Sequence, residues 1–399
     1  MRTVDLRVRM RARPIEEPHR VATRLELLFD LTFVVAVAGA VGQLAHAIEG
    51  GHASSGVVAF LQVFFAIWWA WMNFTWFASP YDTDDVGYRL MTMLQMAGVL
   101  VLAAGVPAAA EGDLRTVTLG YLVMRLALVA QWVRVAVEDP ESRRTALRYA
   151  AGITVAQAGW LLRLVAAESG ALAGGWSLPA FVVLALVELA VPPWAERGRR
   201  TTWHPHHIAE RYGLFTIILL GEGVFAASTG VDAAVREGWT WSLTAVAGSG
   251  LVLVFALWWL YSLEPAGDAL AEARRRSYLW GYGHFGLFAA LAALGAGLEV
   301  AVVRTAHRGE VSEVAAGWAV AVPVAAFLVL LWAVHAPFIR RSFIRRSFIR
   351  HARLLIGAAA VAVSPSTVPV VGLPGTVTLI AAVCVAVTAS TVVHHQLNA

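Results

Sequence analysis

The sequence contains no lysine, and all 31 of its Lys or Arg positions are arginine. It has a single cysteine, Cys384, which excludes an internal disulfide and a cluster of thiolate metal ligands. Only 15% of the residues are charged, against about 25% in a typical soluble domain. Long hydrophilic stretches are almost absent, and 58% of the residues are hydrophobic. This composition predicts a membrane protein without a separate soluble domain.

Several motifs that carry chemistry are also missing. The chain has no nucleophile elbow, no phosphate-cradling glycine loop and no paired-histidine zinc motif. No basic motif with interleaved aromatic residues indicates a nucleic-acid partner, and the formal net charge is only +4. We therefore predict no enzymatic activity, no catalytic residue and no cofactor.

Hydrophobic runs long enough to cross a bilayer, which takes about 20 residues, occur along the whole chain. They predict an all-α integral membrane protein with about twelve transmembrane helices. The last two runs are separated by Gly372 and Pro374, so ten or eleven helices are also compatible with the pattern. The runs fall near 27–48, 57–78, 89–110, 117–137, 147–167, 176–195, 209–230, 239–263, 278–303, 314–338, 354–372 and 375–393.

The arginines of the loops predict the orientation, since cytoplasmic loops carry an excess of Lys and Arg. With the N-terminus inside, 23 arginines fall in cytoplasmic segments and four in outside loops. Residues 1–24, which hold seven of them, are predicted to be a cytoplasmic segment rather than a cleaved signal peptide. We expect both termini to be cytoplasmic and the protein to lie in a bacterial inner membrane.

Short sequence matches suggest an internal duplication. Residues 65–69 (FAIWW) recur as residues 255–259 (FALWW), and Glu26 and Thr32 align with Glu210 and Thr216. They predict two six-helix repeats, 25–196 and 197–399, which are parallel because each holds an even number of helices. The matches cover only the first three helices of each half. Transporters built from such repeats place their sites between them.

A local repeat of another kind, FIRRS, begins at Phe338 and continues to Arg350. It predicts a basic cytoplasmic loop. The arginines from Arg340 to Arg353 would contact anionic lipid headgroups of the bilayer.

Two acids lie at the start of the first predicted helix. Glu26 and Asp30 are four residues apart and share one helix face. Arg24 is the nearest opposite charge in the sequence. One interpretation is that both acids are satisfied as caps at the positive helix N-terminus. The other is an acidic vestibule for a proton or a cation.

The seventh predicted helix opens with Glu210 and Arg211 and carries Glu222 past the middle of its apolar run. An ionisable group at that depth marks a pathway, a site or a buried partner. Arg125 lies inside the fourth helix and needs an acid or a carbonyl; Glu188 is one such acid. The alternative for Glu222 is a structural hydrogen bond or an ion pair with an arginine such as Arg125.

Histidines add weaker signals. His206, His207 and Glu210 have spacings that suit a divalent metal, but without a second motif we predict interfacial or capping roles and no metal. His284, inside the ninth helix, would suit a proton relay because imidazole titrates near neutrality, or an interhelical hydrogen bond.

A short acidic loop, Asp82 to Asp85, lies between the second and third predicted helices. We expect its three aspartates to be solvated and paired with neighbouring arginines.

Residues 26–34 (ELLFDLTFV) and 207–222 (HIAERYGLFTIILLGE) resemble the bacterial low temperature requirement protein A (LtrA) family. The resemblance runs from about residue 20 to about residue 395. It implies a polytopic inner-membrane protein but no settled biochemical activity. More loosely, residues 24–30 (RLELLFD) are similar to the start of a lysosomal potassium-channel family. That family opens with Phe-Ser-Asp, whereas this chain reads Leu28-Phe29-Asp30 and lacks the serine, so no gate or filter residue follows from it.

Together these observations favour a transporter or channel for a proton, cation or small solute. The pathway would run between the halves, past Glu26, Asp30, Glu210, Arg211, Glu222, Arg125 and His284. The alternative is a non-transporting membrane scaffold or a sensor of lipid or cold stress. The sequence also leaves open whether the protein forms a homo-oligomer.

Overall fold

The computed structural model describes residues 5–15, 17, 20–172, 175–263, 266–306, 310–338 and 344–396. Every regular element in these ranges is helical, which confirms the predicted all-α class. The α-helices are α1 (Arg24–Glu49), α2 (Ala53–Tyr81), α3 (Val86–Ala110), α4 (Arg115–Glu138), α5 (Arg143–Glu168), α6 (Ser177–Ala195), α7 (Pro205–Glu237), α8 (Trp241–Ser262), α9 (Ala266–Glu272), α10 (Ser277–Thr305), α11 (Glu313–His335), α12 (Ile344–Val363) and α13 (Val368–Gln396).

Several helices begin where a short polar side chain caps them. The carboxylate of Asp85 accepts a hydrogen bond from the Tyr88 N–H at the start of α3. Ser312 does the same for Ala315 at the start of α11. Such caps satisfy backbone donors that the helix itself leaves unpaired.

Within the described residues, eleven helical segments are long and apolar enough to cross a membrane. The final segment, Ala352–His394, is 43 residues long, about twice what one crossing requires. It joins α12 and α13 through a short 3₁₀ turn at Ser364–Thr367. These segments support a multi-pass membrane protein.

The last segment folds back on itself as a hairpin. Arg353 Nη1 donates to the Ser390 carbonyl at 2.5 Å, and the Thr367 and Thr376 hydroxyls lie 3.1 Å apart. Since residue numbers rise along α12 as those of its partners on α13 fall, the two helices run antiparallel. Gly372, with φ +70°, interrupts the helical backbone just beyond the turn. This geometry favours two crossings, and the arrangement of twelve spans in two repeats remains a prediction.

By their internal packing, the helices form two compact units. Unit 1 comprises Met1–Ala40 and Gln62–Arg211, and it contains α3 to α6 in full. Its helices pack closely where glycines face backbone. A Cβ on Gly120 of α4 would lie 2.3 Å from the Leu102 nitrogen of α3. Trp132 of α4 stacks on Tyr149 of α5 with ring centroids 4.2 Å apart.

Unit 2 comprises Val41–Leu61 and Tyr212–Ala399, and it contains α8 to α13. Helices α10 and α11 pack most tightly at Gly297, where a Cβ would lie 2.1 Å from the Ala319 carbonyl oxygen. Helices α1, α2 and α7 contribute residues to both units. Packing units and ancestral repeats are different properties, so the repeat boundary at residues 196 and 197 stays a prediction.

Residues 5–13, here called the N-terminal strap, form no regular element and lie against helix ends of unit 1. Its backbone is held by side chains and carbonyls of those helices. Met10, in its middle, is fully buried. The bonds are Val8 N to Asp85 Oδ2 at 2.8 Å, Met10 N to Glu138 Oε2 at 2.6 Å, and Arg13 N to the Pro80 carbonyl at 2.9 Å.

Candidate functional site

The first of the predicted acids, Glu26, caps α1. The Thr23 hydroxyl accepts from the Glu26 N–H at 3.3 Å, and the Thr23 N–H donates to Glu26 Oε2 at 2.7 Å. This reciprocal pair is a capping box. The capping interpretation therefore holds for Glu26, although its carboxylate has further contacts.

The other oxygen of Glu26 faces the start of α7. His207 Nε2 and Arg211 Nη1 each lie 3.0 Å from Glu26 Oε1. All three side chains are fully buried. His207 and Arg211 are four residues apart and share one face of α7, as the sequence indicated for Glu26 and Asp30 on α1.

Asp30 contacts the second terminal nitrogen of the same arginine. Arg211 Nη2 lies 2.5 Å from Asp30 Oδ1, and Trp71 Nε1 of α2 donates to that oxygen at 2.8 Å. The second oxygen, Asp30 Oδ2, has no hydrogen-bond partner among the described residues. Asp30 lies one turn, about 6 Å, further along α1 than Glu26.

A second arginine extends the contacts to the loop between α2 and α3. Arg20 Nη2 lies 3.5 Å from Glu26 Oε2 and 3.7 Å from Asp82 Oδ2. Arg20 and Asp82 are both buried. We call Asp82, Arg20, Glu26, Arg211 and Asp30 the ion ladder, because acids and arginines alternate along it.

Asp82 lies outside the candidate membrane spans. Burial raises the pKa of Asp82 from 3.8 to about 6, and the nearby charge of Glu26 adds to this effect against the opposing charge of Arg20. The expectation that this loop is solvated is therefore wrong for Asp82, which is only 7% exposed. It is correct for Asp84, whose exposed carboxylate pairs with Arg89 at 2.8 Å.

Asp85 is also buried, and its surroundings have the opposite effect on its pKa. Burial disfavours the charged form, but hydrogen bonds from Arg134 and from the N–H groups of Val8 and Tyr88 outweigh it. They lower the pKa of Asp85 to about 2. Asp85 is therefore an anchor for the N-terminal strap and for α3, and it stays ionised at neutral pH.

Arg125, one of the predicted pathway residues, forms a buried ion pair deeper in unit 1. Arg125 Nη2 lies 2.5 Å from Glu188 Oε2, and both side chains are almost fully buried. The need of Arg125 for an acid is confirmed, and the acid is Glu188. That carboxylate accepts three further hydrogen bonds, from Tyr121 Oη at 2.8 Å, Trp69 Nε1 at 2.9 Å and Trp160 Nε1 at 3.2 Å.

Glu222 lies in unit 2 and is half-buried. It reaches α10 where Gly295 leaves space, since a Cβ on Gly295 would lie 2.6 Å from Glu222 Cβ. Glu299, one turn further along α10, is close enough to interact with it electrostatically. Among the described residues, Glu222 has no hydrogen bond or ion pair.

His284 is fully buried in unit 2. Its Nδ1 lies 2.7 Å from the Trp280 carbonyl of the preceding turn, and its Nε2 lies 3.2 Å from the Tyr261 hydroxyl of α8. The interhelical hydrogen bond of the second interpretation is thus present. The histidine holds α8 and α10 together.

The weak metal candidates fall in different surroundings. His207 contacts Glu26, whereas His206 is exposed. Glu210 is exposed and accepts a hydrogen bond from the Ala22 N–H at 3.0 Å. No group of three or more His, Cys, Asp or Glu side chains suited to a metal occurs in the described part of the chain.

Two partners in the ladder were not identified by sequence reasoning. Arg24 was expected to pair with Glu26 or Asp30, but Arg20 and Arg211 do so instead. The spacing of residues could have indicated Arg211. His207 and Arg211 are four residues apart on α7, as Glu26 and Asp30 are on α1. Of the arginines predicted to contact lipid, Arg340 and Arg341 lie outside the described residues, and Arg353 donates to the Ser390 carbonyl.

Unit 2 also contains an apolar cavity of about 590 Å³ between the ends of α1 and α2 and the helices α10 and α11. Leu44, Phe60, Ala290 and Trp318 are among its walls, and none of the described residues that line it is charged. Such a cavity suits hydrocarbon rather than an ion.

The eleven apolar helical segments found among the described residues, together with buried ion pairs inside the helical bundles, define a polytopic α-helical membrane protein. Residues 21–390 match the family described as bacterial low temperature requirement A protein (LtrA). The chain belongs to this family, which confirms the resemblance noted in its two motifs. It is also 28% identical over 285 residues to an uncharacterised protein of Rhizobium meliloti (strain 1021). That match covers 65% of this chain and 64% of the length of the relative.

Proposed function

We propose that this protein moves an ion across the membrane, as a transporter or a channel, and that the ion ladder is part of the route. The observation that carries the proposal is the continuity of the ladder. It links Asp82, in a loop, to Asp30, inside α1, through two arginines, and all five side chains are buried. Ionisable groups inside a membrane protein mark ion and proton pathways by default.

The charges of the ladder support movement of a positive ion. Three carboxylates face two guanidinium groups, so the fully ionised ladder carries one excess negative charge when His207 is neutral. A proton or a bound cation would balance it. Since the pKa of Asp82 is about 6, the outermost carboxyl group exchanges a proton within one pH unit of neutrality.

The ion pair of Arg125 and Glu188 provides a contrast within unit 1. It contains one acid and one base, and both Glu188 oxygens are occupied by four donors. Asp30 keeps one oxygen without a described partner. We therefore assign the ladder to the route and the pair to structural support, which moves Arg125 out of the pathway first expected.

Glu222 is the second group proposed for the route. It is half-buried, has no described partner, and lies beside Glu299. An acid in this position is free to take up a positive ion. Its place in unit 2 is compatible with a step of the route separate from the ladder.

The test is ion flux in proteoliposomes. Wild-type protein is compared with Asp30→Asn and Glu222→Gln for H⁺, Na⁺, K⁺ and divalent cations. Asp84→Asn is the matched control, because it removes an aspartate charge that is exposed and outside the ladder. We expect flux in the wild type and the control, and its loss in both other variants.

A second candidate function is that of a non-transporting membrane scaffold or lipid sensor, which the apolar cavity of unit 2 favours. Absence of flux for every ion, from protein shown to be folded, would refute the transport proposal and support this one. Narrowing the cavity with Ala290→Phe would then alter lipid binding, whereas Asp30→Asn would not.

A further inference from the structure

The ladder and the side chains beside it contain a concentration of buried polar atoms without partners among the described residues. They belong to side chains that are at least nine-tenths buried. The atoms are Arg20 Nε, Asp30 Oδ2, Thr75 Oγ1, Tyr88 Oη, His207 Nδ1 and Arg211 Nε. Buried polar groups in proteins are nearly always hydrogen-bonded to protein or to ordered water, so this set indicates a bound species.

Three of these side chains are not ladder members but lie beside it, and one of them, His207, contacts Glu26 as described above. Thr75 is one helical turn from Trp71, whose indole donates to Asp30, so both side chains face α1. Tyr88 is close enough to Glu26, Asp82 and Arg211 to interact with them electrostatically. The unpartnered hydroxyls therefore border the ladder along its length.

The chemistry of the six atoms restricts what binds there. Each arginine Nε is only a donor, whereas an ionised Asp30 Oδ2 is only an acceptor. A bare metal cation would satisfy the carboxylate and oppose the arginines. A simple anion would satisfy the arginines and oppose the carboxylate. Water donates and accepts, and it suits every atom in the set.

We infer that water molecules are bound along the ion ladder between Asp82 and Asp30, and that the ion moved along it is the proton. This inference rests on the proposed function for its second part only. In the transfer step a hydronium ion loses a proton, which forms the O–H bond at Asp30 Oδ2, and a neutral water molecule remains. The reverse step returns the proton to the next water.

Arg20 and Arg211 take part in this arrangement by excluding other ions. Their guanidinium groups are permanently charged and lie within 4 Å of every acid of the ladder. A sodium or potassium ion would have to approach both. A proton avoids this repulsion because it moves by exchange of O–H bonds.

Radiolytic hydroxyl-radical labelling tests for the water directly, since bound water generates radicals next to buried side chains. The comparison is between Tyr88 and Tyr81, which are both 1% exposed. Tyr81 packs against Phe77 and Trp132, and it carries none of the unpartnered atoms. We expect Tyr88 to be labelled several-fold faster than Tyr81. Equal labelling overturns the bound water, whatever the protein transports.

Flux measurements test the proton assignment. We expect proton flux that is slower in D₂O and no sodium or potassium flux. Tyr88→Phe and Thr75→Val each remove one unpartnered hydroxyl and should lower the flux several-fold. Tyr149→Phe, whose hydroxyl bonds to Glu196 at 3.2 Å, is the matched control and should not.

The outcomes separate this inference from the proposed function. Sodium or potassium flux without proton flux overturns the proton assignment and leaves ion transport standing. Fast labelling of Tyr88 without flux of any ion keeps the bound water and overturns both the proton assignment and the proposed function. Unchanged proton flux in both hydroxyl variants overturns the role of these waters in transfer.

Discussion

Replacing Arg211 with methionine tests whether the ladder is a coupled set of charges. Arg211 is fully buried and contacts Glu26 at 3.0 Å and Asp30 at 2.5 Å. Methionine keeps much of the length of the side chain and removes its charge. The two carboxylates would then lie buried with one arginine, Arg20, near Glu26 and none at Asp30.

The expected loss of stability on the Arg211→Met substitution follows from these contacts. At an effective dielectric constant of about 20, two unit charges about 3 Å apart interact with roughly 5–6 kcal/mol, before the cost of desolvation is subtracted. Removing one partner of a buried ion pair typically costs about 3–5 kcal/mol. We therefore expect Arg211→Met to lower the free energy of unfolding by about 3–5 kcal/mol.

The assay is an SDS titration of the purified protein in mixed micelles, followed by tryptophan fluorescence. Arg89→Met is the matched control, because Arg89 pairs with Asp84 at 2.8 Å but both side chains are at least 36% exposed. An exposed pair contributes about 0–1 kcal/mol. The double variant Arg211→Met with Asp30→Asn should recover about 0.5–3 kcal/mol, because it removes one uncompensated charge.

Two results would refute this reasoning. One is a loss for Arg211→Met that equals the loss for Arg89→Met. The other is strict additivity of the Arg211 and Asp30 substitutions, which would show that the two charges are not coupled in the folded protein.

Three further predictions concern other contacts. Since the folded-state pKa of Asp82 is raised from 3.8 to about 6, its contribution to stability falls as the pH rises from about 4 to about 6, and Asp82→Asn should remove this dependence. Glu188→Gln leaves the charge of Arg125 buried without its acid and should cost about 3–5 kcal/mol. Gly297→Ala would place a methyl group 2.1 Å from a carbonyl oxygen and should destabilise strongly. Gly248→Ala meets nothing within 4 Å and should gain up to about 1 kcal/mol from helix propensity.

The same SDS titration measures all three, repeated across pH for Asp82→Asn. An unchanged pH dependence in that variant would contradict the raised pKa. For Glu188, Glu141→Gln is the control, because that acid is exposed and pairs with an exposed arginine. Equal losses of stability in Glu188→Gln and Glu141→Gln would contradict the buried ion pair. Similar stabilities of Gly297→Ala and Gly248→Ala would contradict the close packing at Gly297.

Much of the helical architecture was predictable from the sequence, because long apolar runs leave few alternatives to helices. The hairpin of α12 and α13 shows the limit. Gly372 and Pro374 indicated a break, but the antiparallel return depends on side-chain pairs such as Arg353 and Ser390. Such pairs have no periodic signal in a single sequence.

The candidate site was predictable only in part. Spacing placed Glu26 and Asp30 on one face of α1, and that geometry is present. The choice of Arg211 over Arg24 depends on the packing of α7 against α1 within unit 1. Burial of Asp82 depends on Arg20 lying across it, and an acidic loop gives no sign of this in the sequence.

The long sequence separation between Asp30 and Arg211, 181 residues, has a consequence for biosynthesis. At about 5–20 residues per second, α1 leaves the ribosome roughly 10–40 s before its arginine partner on α7 exists. Arg20 is already present, but it compensates the charge of Glu26 and not that of Asp30. During this interval Asp30 belongs to a helix that is unfavourable to insert, so α1 would stay at the translocon or the bilayer surface until α7 arrives. Nascent chains arrested before Arg211 should therefore leave α1 accessible to water, and chains arrested well beyond it should not.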